Sequence, residues 1–464
     1  MVETRTGTAD PHRAAGPGTR VRVRVRDHLA SGHRTNAWLE SLKSHSDVLS
    51  NAGSLIGTTA VTSLLGFVFW WVAARLFPMA AVGYGSAAVS AMTLLGTLGM
   101  LGLNTALVGE LPKRPPHAGG LVAAALLVSG AASGILGLGF ALIAPHVRGD
   151  VAPFIDGPLR VAFFTFAVAI TGAILVLDQA FIGLLRSDLQ LWRNATFAVA
   201  KLVVLVGIAL VVHDRFGIGI FAAWAVGTAV SVIVPMVFLR RSGYRILHAP
   251  QWMVLRSLSR SAAEHNWLNM ALQTPRLALP ILVTAQLSPT AGASFYAAWM
   301  IVIIAYMLPS NLTTVLYAIS SADRRLLRRK TRFTMRTSLI VGAIGVFILI
   351  ACAGPAMDLF GKGYEQAITP LRILALSYLP MVVKTHYVAI CRVRGWRVRA
   401  AWVATGGTAL ELAAAAVGGQ IAGLTGLSIG LFGAMCVEAL VVAPTVAGVM
   451  TRSPRSPGQH RVSA

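Results

Sequence analysis

The 464-residue chain sets nearly all its basic residues on one side of a ladder of twelve long apolar segments, a pattern that confines it to a membrane. The segments run over 52–74, 84–108, 119–145, 159–184, 194–212, 217–239, 264–286, 291–317, 337–360, 370–391, 401–420 and 425–450. Each is near or above the roughly 20 residues that carry a helix across a bilayer. With the N-terminus inside, the inner segments hold 31 of the 40 Lys and Arg residues, and the outer side has only Arg75, Arg148, Arg160, Arg215, Lys362 and Arg372. Loop basicity sets orientation, so both chain ends are expected in the cytoplasm. The net charge of +23 is then mainly a topology signal. Basic segments beside a membrane meet anionic lipid first, so membrane lipids are expected as partners and nucleic acid is not.

Residues 1–50 read as a basic cytoplasmic tail. Its alternating Val21 to Arg26 run has no second strand to pair with, and Trp38, Leu42, His45 and Leu49 recur at helical spacing, as in a short interfacial helix before the first span. No cleavable signal peptide is expected ahead of that span. Residues 51–240 form one six-helix lobe, 241–263 a cytoplasmic linker, 264–450 a second lobe, and 451–464 a cytoplasmic tail. Cys352, Cys391 and Cys436 are too scattered for a metal or redox motif and read as small packing residues. Trp70, Trp71, Trp192, Trp396 and Trp402 read as interfacial belt residues.

An internal repeat supports the two lobes. Ala74-Arg75-Leu76-Phe77-Pro78, followed by Tyr84 and Ala87, matches Ala285-Gln286-Leu287-Ser288-Pro289, followed by Phe295 and Ala298, at an offset of 211 residues. Pro158-Leu159-Arg160 matches Pro370-Leu371-Arg372 at 212. Six helices per repeat put both halves into the membrane in the same sense, giving a parallel pseudo-two-fold. The expected fold is all-α and polytopic, with a cleft bounded by the first and seventh spans, the architecture of transporters.

Polar groups inside the spans locate the chemistry. A charge at a helix centre costs about 2.5–3.5 kcal/mol on insertion scales, so it must face a cavity or a partner. In the seventh span Asn266, Asn269, Gln273, Arg276 and Pro280 share one helical face, with Thr284 extending it. Asn269 and Gln273 correspond through the repeat to Thr58 and Thr62 of the first span, and all four are candidate cavity-lining groups. The competing reading is a polar seam between two helices. Pro275 and Pro280 should bend or break the seventh helix and free backbone groups that must line protein or water. Lys384 and His386 lie deep in the tenth span after Pro380 and are cavity candidates. Glu411 and Glu438 read as counter-charges to Arg276 or Lys384, or as proton carriers. Asp178 lies near the inner surface, where an ion pair or ion coupling are both open, and Lys201 is near enough to that surface to snorkel.

The chain lacks a phosphate-binding Gly-rich loop, a nucleophile elbow and a zinc-protease His pair, and its outer loops are too short for a catalytic domain. Neither an enzyme nor a bound cofactor or metal is expected.

Several stretches resemble polysaccharide flippases of the multidrug/oligosaccharidyl-lipid/polysaccharide exporter superfamily. They are Asn51 to Ile56 with Ala74 to Pro78 and Val82-Gly83-Tyr84, Leu177 to Gly183 with Leu191 to Asn194 and Lys201-Leu202, and the tenth span with its Arg-rich exit. The resemblance covers residues of about 50 to 450. It implies two six-helix lobes rocking around a cationic cavity and moving a polyprenyl-diphosphate-linked oligosaccharide from the inner to the outer leaflet of a bacterial cytoplasmic membrane. Glycan polymerases and glycosyltransferases of the same pathway would be its partners. Twelve spans rather than fourteen point to an exopolysaccharide or surface-glycan precursor rather than a peptidoglycan one. Under this reading Arg276 and Lys384 hold the diphosphate. The alternatives are a multidrug exporter of the same superfamily, disfavoured because the first span holds no acid, an integral membrane glycosyltransferase or polymerase, and a membrane scaffold that transports nothing.

Overall fold

A computed structural model describes residues 64–113, 118–147, 155–211, 216–241 and 249–451, excepting the side chains at 257–265, 322 and 324. The basic tails, Thr58 and Thr62 lie outside the described residues. What is described is helical and contains no strand. The first half comprises α1 (Leu64–Leu76), α2 (Met79–Gly99), α3 (Leu103–Glu110), α4 (Ala118–Val147), α5 (Pro158–Gly183), α6 (Ser187–Val211), α7 (Ile218–Val230) and α8 (Ile233–Arg241). The second comprises α9 (Trp252–Gln286), α10 (Pro289–Ala322), α11 (Leu327–Ala351), α12 (Ala353–Asp358), α13 (Ile368–Leu376), α14 (Tyr378–Arg394) and α15 (Arg397–Thr451).

Among the described residues, eight helices are long and apolar enough to cross a membrane, or nine if the pair Tyr364–Leu376 and Tyr378–Arg394, bent by 40°, is one span. The rest of the twelve-segment ladder is accounted for locally. Within α15, Ala422 and Gly423 leave helical geometry, so that helix is two spans joined at a tight break. The polar stripe keeps α9 out of the apolar set, and α1 is described only from Leu64. The described part of each predicted segment thus falls largely on helix. Exposed Ile135, Leu210, Phe347, Ile421 and Leu440 present the apolar side chains that a lipid environment requires.

The boundaries differ from expectation where the backbone turns. The second segment stops at Gly99, passes through Leu101 and Gly102 at φ of 50° and 80°, and resumes as α3. α9 begins at Trp252, well before the predicted 264, so part of the predicted linker continues the seventh helix.

The architecture is that of two lobes. In the first half α4 lies along α5 and α6 along α7; in the second α15 packs on α9 and α14, and α14 also on α10. The halves meet where α2 packs against α9 and α10. Small residues allow this approach, since helices in lipid associate by close packing and not by escaping water. A Cβ on Gly83 of α2 would lie 1.7 Å from the Pro289 carbonyl oxygen at the start of α10, so only glycine fits there. Around that point, the Arg75 Nε and Trp71 Nε1 each donate to the Leu359 carbonyl at 2.9 Å, and Phe67 meets Phe360 edge-on at 5.5 Å. Trp70 packs on Tyr296 at 4.6 Å. These contacts close the end of the molecule that carries few basic residues. Trp70 is therefore no belt residue: it is buried within the aromatic cluster at this seam.

Candidate transport cavity

Pro275 and Pro280 set the geometry of the site. Proline has no N–H, so each leaves the carbonyl four residues earlier without its helical partner. α9 nevertheless continues through both, with no break. The Ala271 carbonyl freed by Pro275 accepts from Thr408 Oγ1 at 2.6 Å, and the Arg276 carbonyl freed by Pro280 accepts from Trp299 Nε1 at 3.2 Å. The two prolines thereby tie α9 to α15 and α10.

Beside these ties lies a cavity of about 420 Å³, walled by α9, α10, α14 and α15. Its size is that of a small-molecule site. All its lining residues belong to the second half; residues 52–63 of the first span, with which a cleft against the seventh span is expected, lie outside the described residues. Gln273 and Arg276 line it and are exposed to it although both lie mid-helix. The Arg276 guanidinium has no hydrogen bond or ion pair among the described residues. Trp299, Tyr306 and Tyr317 add aromatic faces, and Ser310, Asn311 and Thr314 add polar groups. The Asn311 Nδ2 is buried without a partner.

Lys384 lies on the wall between two acids. Its Nζ contacts Glu411 Oε1 and is 2.6 Å from Glu438 Oε2. Both carboxylates come from α15, one from each side of its break. Lys384 thus has acidic partners, although none lies within a turn of it in sequence. Gly407 makes room for this cluster, because a Cβ there would be 2.2 Å from the Glu438 carboxyl carbon. Arg392, two turns along α14 from Lys384, also lines the cavity and donates to Asn269 Oδ1 at 2.9 Å. The lining holds three cations, Arg276, Lys384 and Arg392, against two acids.

The other polar residues separate. Asn269 is half-buried, serves as the acceptor for Arg392 and is not part of the lining. Asn266 is buried with its Oδ1 unpartnered, and Thr284 lies against α2, where its hydroxyl donates to the Gly83 carbonyl at 3.5 Å. The stripe is therefore both seam and cavity wall, along different turns of one helix. His386 does not face the cavity. It is fully buried on the other side of α14, with Nδ1 2.8 Å from the Val382 carbonyl and Nε2 3.0 Å from Thr334 Oγ1 of α11. Two residues after Lys384 on a helix, it must point away from it. Asp178 is a buried counter-charge to Arg193, 2.7 Å away, and fastens α5 to α6.

Lys201 does not snorkel. It is buried, and its ammonium sits 4.9, 4.5 and 4.2 Å from the ring centres of Phe69, Phe197 and Trp224. Aromatic faces attract a cation by about 2 kcal/mol or more when water is excluded, which holds the side chain inside the first lobe.

Sequence reasoning passed over Arg392, Trp299 and Asn311. Lys384, Val388 and Arg392 share a face at steps of four, and Ser310-Asn311 is a polar pair deep in an otherwise apolar span; both signals were present. Nothing in the sequence showed that Trp299 would cap the carbonyl freed by Pro280.

Residues 48–263 match the model of the family described as polysaccharide biosynthesis protein. No curated protein matches the chain. Among solved structures, the fold is similar to the inward-facing conformation of a multidrug resistance MATE family transporter of the MOP superfamily. The TM-score is 0.68 at 15% identity, covering 84% of this chain and 96% of that one. An outward-facing conformation of such a transporter aligns with a TM-score of 0.59 at 15% identity over 88% and 96%. A MATE in complex with MaL6 aligns at 0.58 and 15% over 88% and 97%. A polysaccharide-biosynthesis family match over residues 48–263 and a MATE-like fold across both lobes make the chain a multi-pass membrane protein with the fold of the MATE transporters.

Proposed function

We propose that the protein moves a polyprenyl-diphosphate-linked oligosaccharide, an exopolysaccharide or surface-glycan precursor, from the inner to the outer leaflet of a bacterial cytoplasmic membrane by alternating access. It acts as a transporter and not as an enzyme, and glycosyltransferases and a polymerase of the same pathway work beside it. The observation that carries this reading is Arg276, a guanidinium facing an intramembrane cavity with no carboxylate beside it. An uncompensated cation at that depth is expensive unless an anionic ligand uses it. Arginine's planar fork fits two phosphate oxygens at once. Arg392 provides a second cation toward the end of the cavity that carries the basic loops.

With those loops cytoplasmic, the seam at Arg75 and Leu359 closes the outer side, the arrangement that receives a substrate from within. An inside-negative potential favours outward movement of a negative headgroup by about 2.3 kcal/mol per charge per 100 mV. The aromatic and amide groups of the lining suit a sugar next to the diphosphate.

The test is translocation of a polyprenyl-diphosphate-linked oligosaccharide in proteoliposomes at matched protein levels. Charge-assisted hydrogen bonds contribute about 1.5–3 kcal/mol, so Arg276→Ala is expected to slow translocation by roughly 10- to 100-fold and Arg276→Lys to retain an intermediate rate. Wild-type rates in Arg276→Ala, or transport of organic cations in place of the lipid, would show that the cavity serves another substrate.

A further inference from the structure

Lys201 of α6 is 3% exposed, and its ammonium makes no hydrogen bond or ion pair among the described residues. Asp178, a buried acid of the same lobe, is taken by Arg193. A charge that merely filled space here would be a costly filler, since an apolar side chain of similar length packs inside a lobe without giving up a water shell. What the ammonium has instead is three rings, whose centres lie 4.9, 4.5 and 4.2 Å away on Phe69 of α1, Phe197 of α6 and Trp224 of α7.

These rings form walls that hold one another. Trp224 stands nearly perpendicular to Phe69 and Phe197, at 82° and 76°, with ring centres 5.2 and 5.3 Å apart. Trp70 packs on both Phe69 and Trp224, at 5.2 and 5.8 Å. Edge-to-face contacts of this kind fix aromatic groups without help from a cation. Several aromatic faces around one point are also the arrangement by which proteins recognise an alkylammonium or quaternary ammonium ligand. Here a lysine of the same chain fills it, running past Gly227, where a Cβ would come within 2.8 Å of the Lys201 Cβ.

We propose that the first lobe contains an aromatic site for organic ammonium ions and that Lys201, by occupying it, keeps such cations out. The lysine is then a specificity-determining residue. The rings attract any compact ammonium group, but with Lys201 in place an entering cation meets both a filled cage and a like charge. Phe197 and Trp224 are only half-buried, so loss of the lysine side chain opens the cage to small ligands past their edges. This exclusion is independent of how the second-lobe cavity holds a diphosphate.

The experiment is a saturation-transfer NMR titration of the full chain in nanodiscs with n-propylammonium, which supplies the heavy atoms that Lys201→Ala removes, and with n-propanol as its uncharged counterpart. Lys201→Ala is expected to bind n-propylammonium at least about tenfold more tightly than wild type does, and more tightly than it binds n-propanol. The gain is expected to disappear when Trp224→Leu is added, which removes one face, and in Lys201→Met, which refills the cage. The same two ligands are added during thermal unfolding of Lys201→Ala. There n-propylammonium is expected to raise the melting temperature toward wild type and n-propanol is not, a readout that serves even where truncation leaves the lobe too unstable to titrate. Equal binding of n-propylammonium by wild type and Lys201→Ala overturns exclusion by the lysine. A gain that survives Trp224→Leu or Lys201→Met, or a cation that binds and stabilises no better than the alcohol, shows an apolar hole and overturns the cage. Each of these outcomes leaves translocation of the lipid-linked oligosaccharide to be judged by its own assay.

Discussion

Arg276 and Lys384, two cations placed deep in the second lobe, are stabilised in opposite ways. Arg276 faces the cavity and is free of carboxylates, whereas Lys384 is held between Glu411 and Glu438. Removing one member of a buried ion cluster costs about 3–5 kcal/mol because the partners are left uncompensated. Lys384→Ala should therefore lower thermal stability sharply, and adding Glu411→Gln and Glu438→Gln should recover most of the loss. Arg276→Ala, with no partner to strand, should melt close to wild type while losing transport. Thermal unfolding of the four proteins in one detergent checks the contrast; equal stability of Lys384→Ala and wild type would show that the cluster is not holding the lobe together. This difference was only half legible in the sequence. Burial depth and the lack of a local acid made Lys384 and Arg276 look alike, because the acids that separate them arrive from α15, 27 and 54 positions away along the chain.

At the scale of elements, prolines that should weaken a helix are used to join it to its neighbours. Pro280 frees the Arg276 carbonyl and Trp299 occupies it; Pro275 frees the Ala271 carbonyl and Thr408 occupies it. Trp299→Phe should cost about 1 kcal/mol by stranding a carbonyl. In a Pro280→Ala background the helix supplies its own N–H and the same substitution should cost much less, a coupling measurable by a double-mutant cycle. Additive costs in that cycle would mean that the Trp299 bond contributes nothing. The sequence showed that freed carbonyls need partners, but not that the helix would remain unbroken, since this depends on donors from α10 and α15 standing at the right height. His386 illustrates the same limit. Its depth could be read from the sequence, but a side chain two residues from Lys384 takes the opposite face, and only the packing of α14 shows which face meets the cavity. Lys201, likewise, lies near the surface by residue count, yet rings from three helices hold it inside.

For the whole molecule, apolar segment length was sufficient to read a ladder of membrane-crossing helices, because it is imposed by the bilayer before any tertiary contact forms, and the repeat at 211 residues was sufficient to read two lobes. The position of the cavity within the second lobe was not readable, since it follows from how α9, α10, α14 and α15 diverge. The central claim is that this cavity serves alternating access, with the seam at Arg75 and Leu359 as its outer gate. The most direct measurement joins Arg75→Cys and Leu359→Cys, in a background without Cys352, Cys391 and Cys436, by a short reducible bifunctional thiol reagent and follows translocation of the lipid-linked oligosaccharide. The account predicts that bridging stops translocation, leaves farnesyl diphosphate binding intact, and is reversed by reductant. Undiminished translocation with the seam bridged would contradict it.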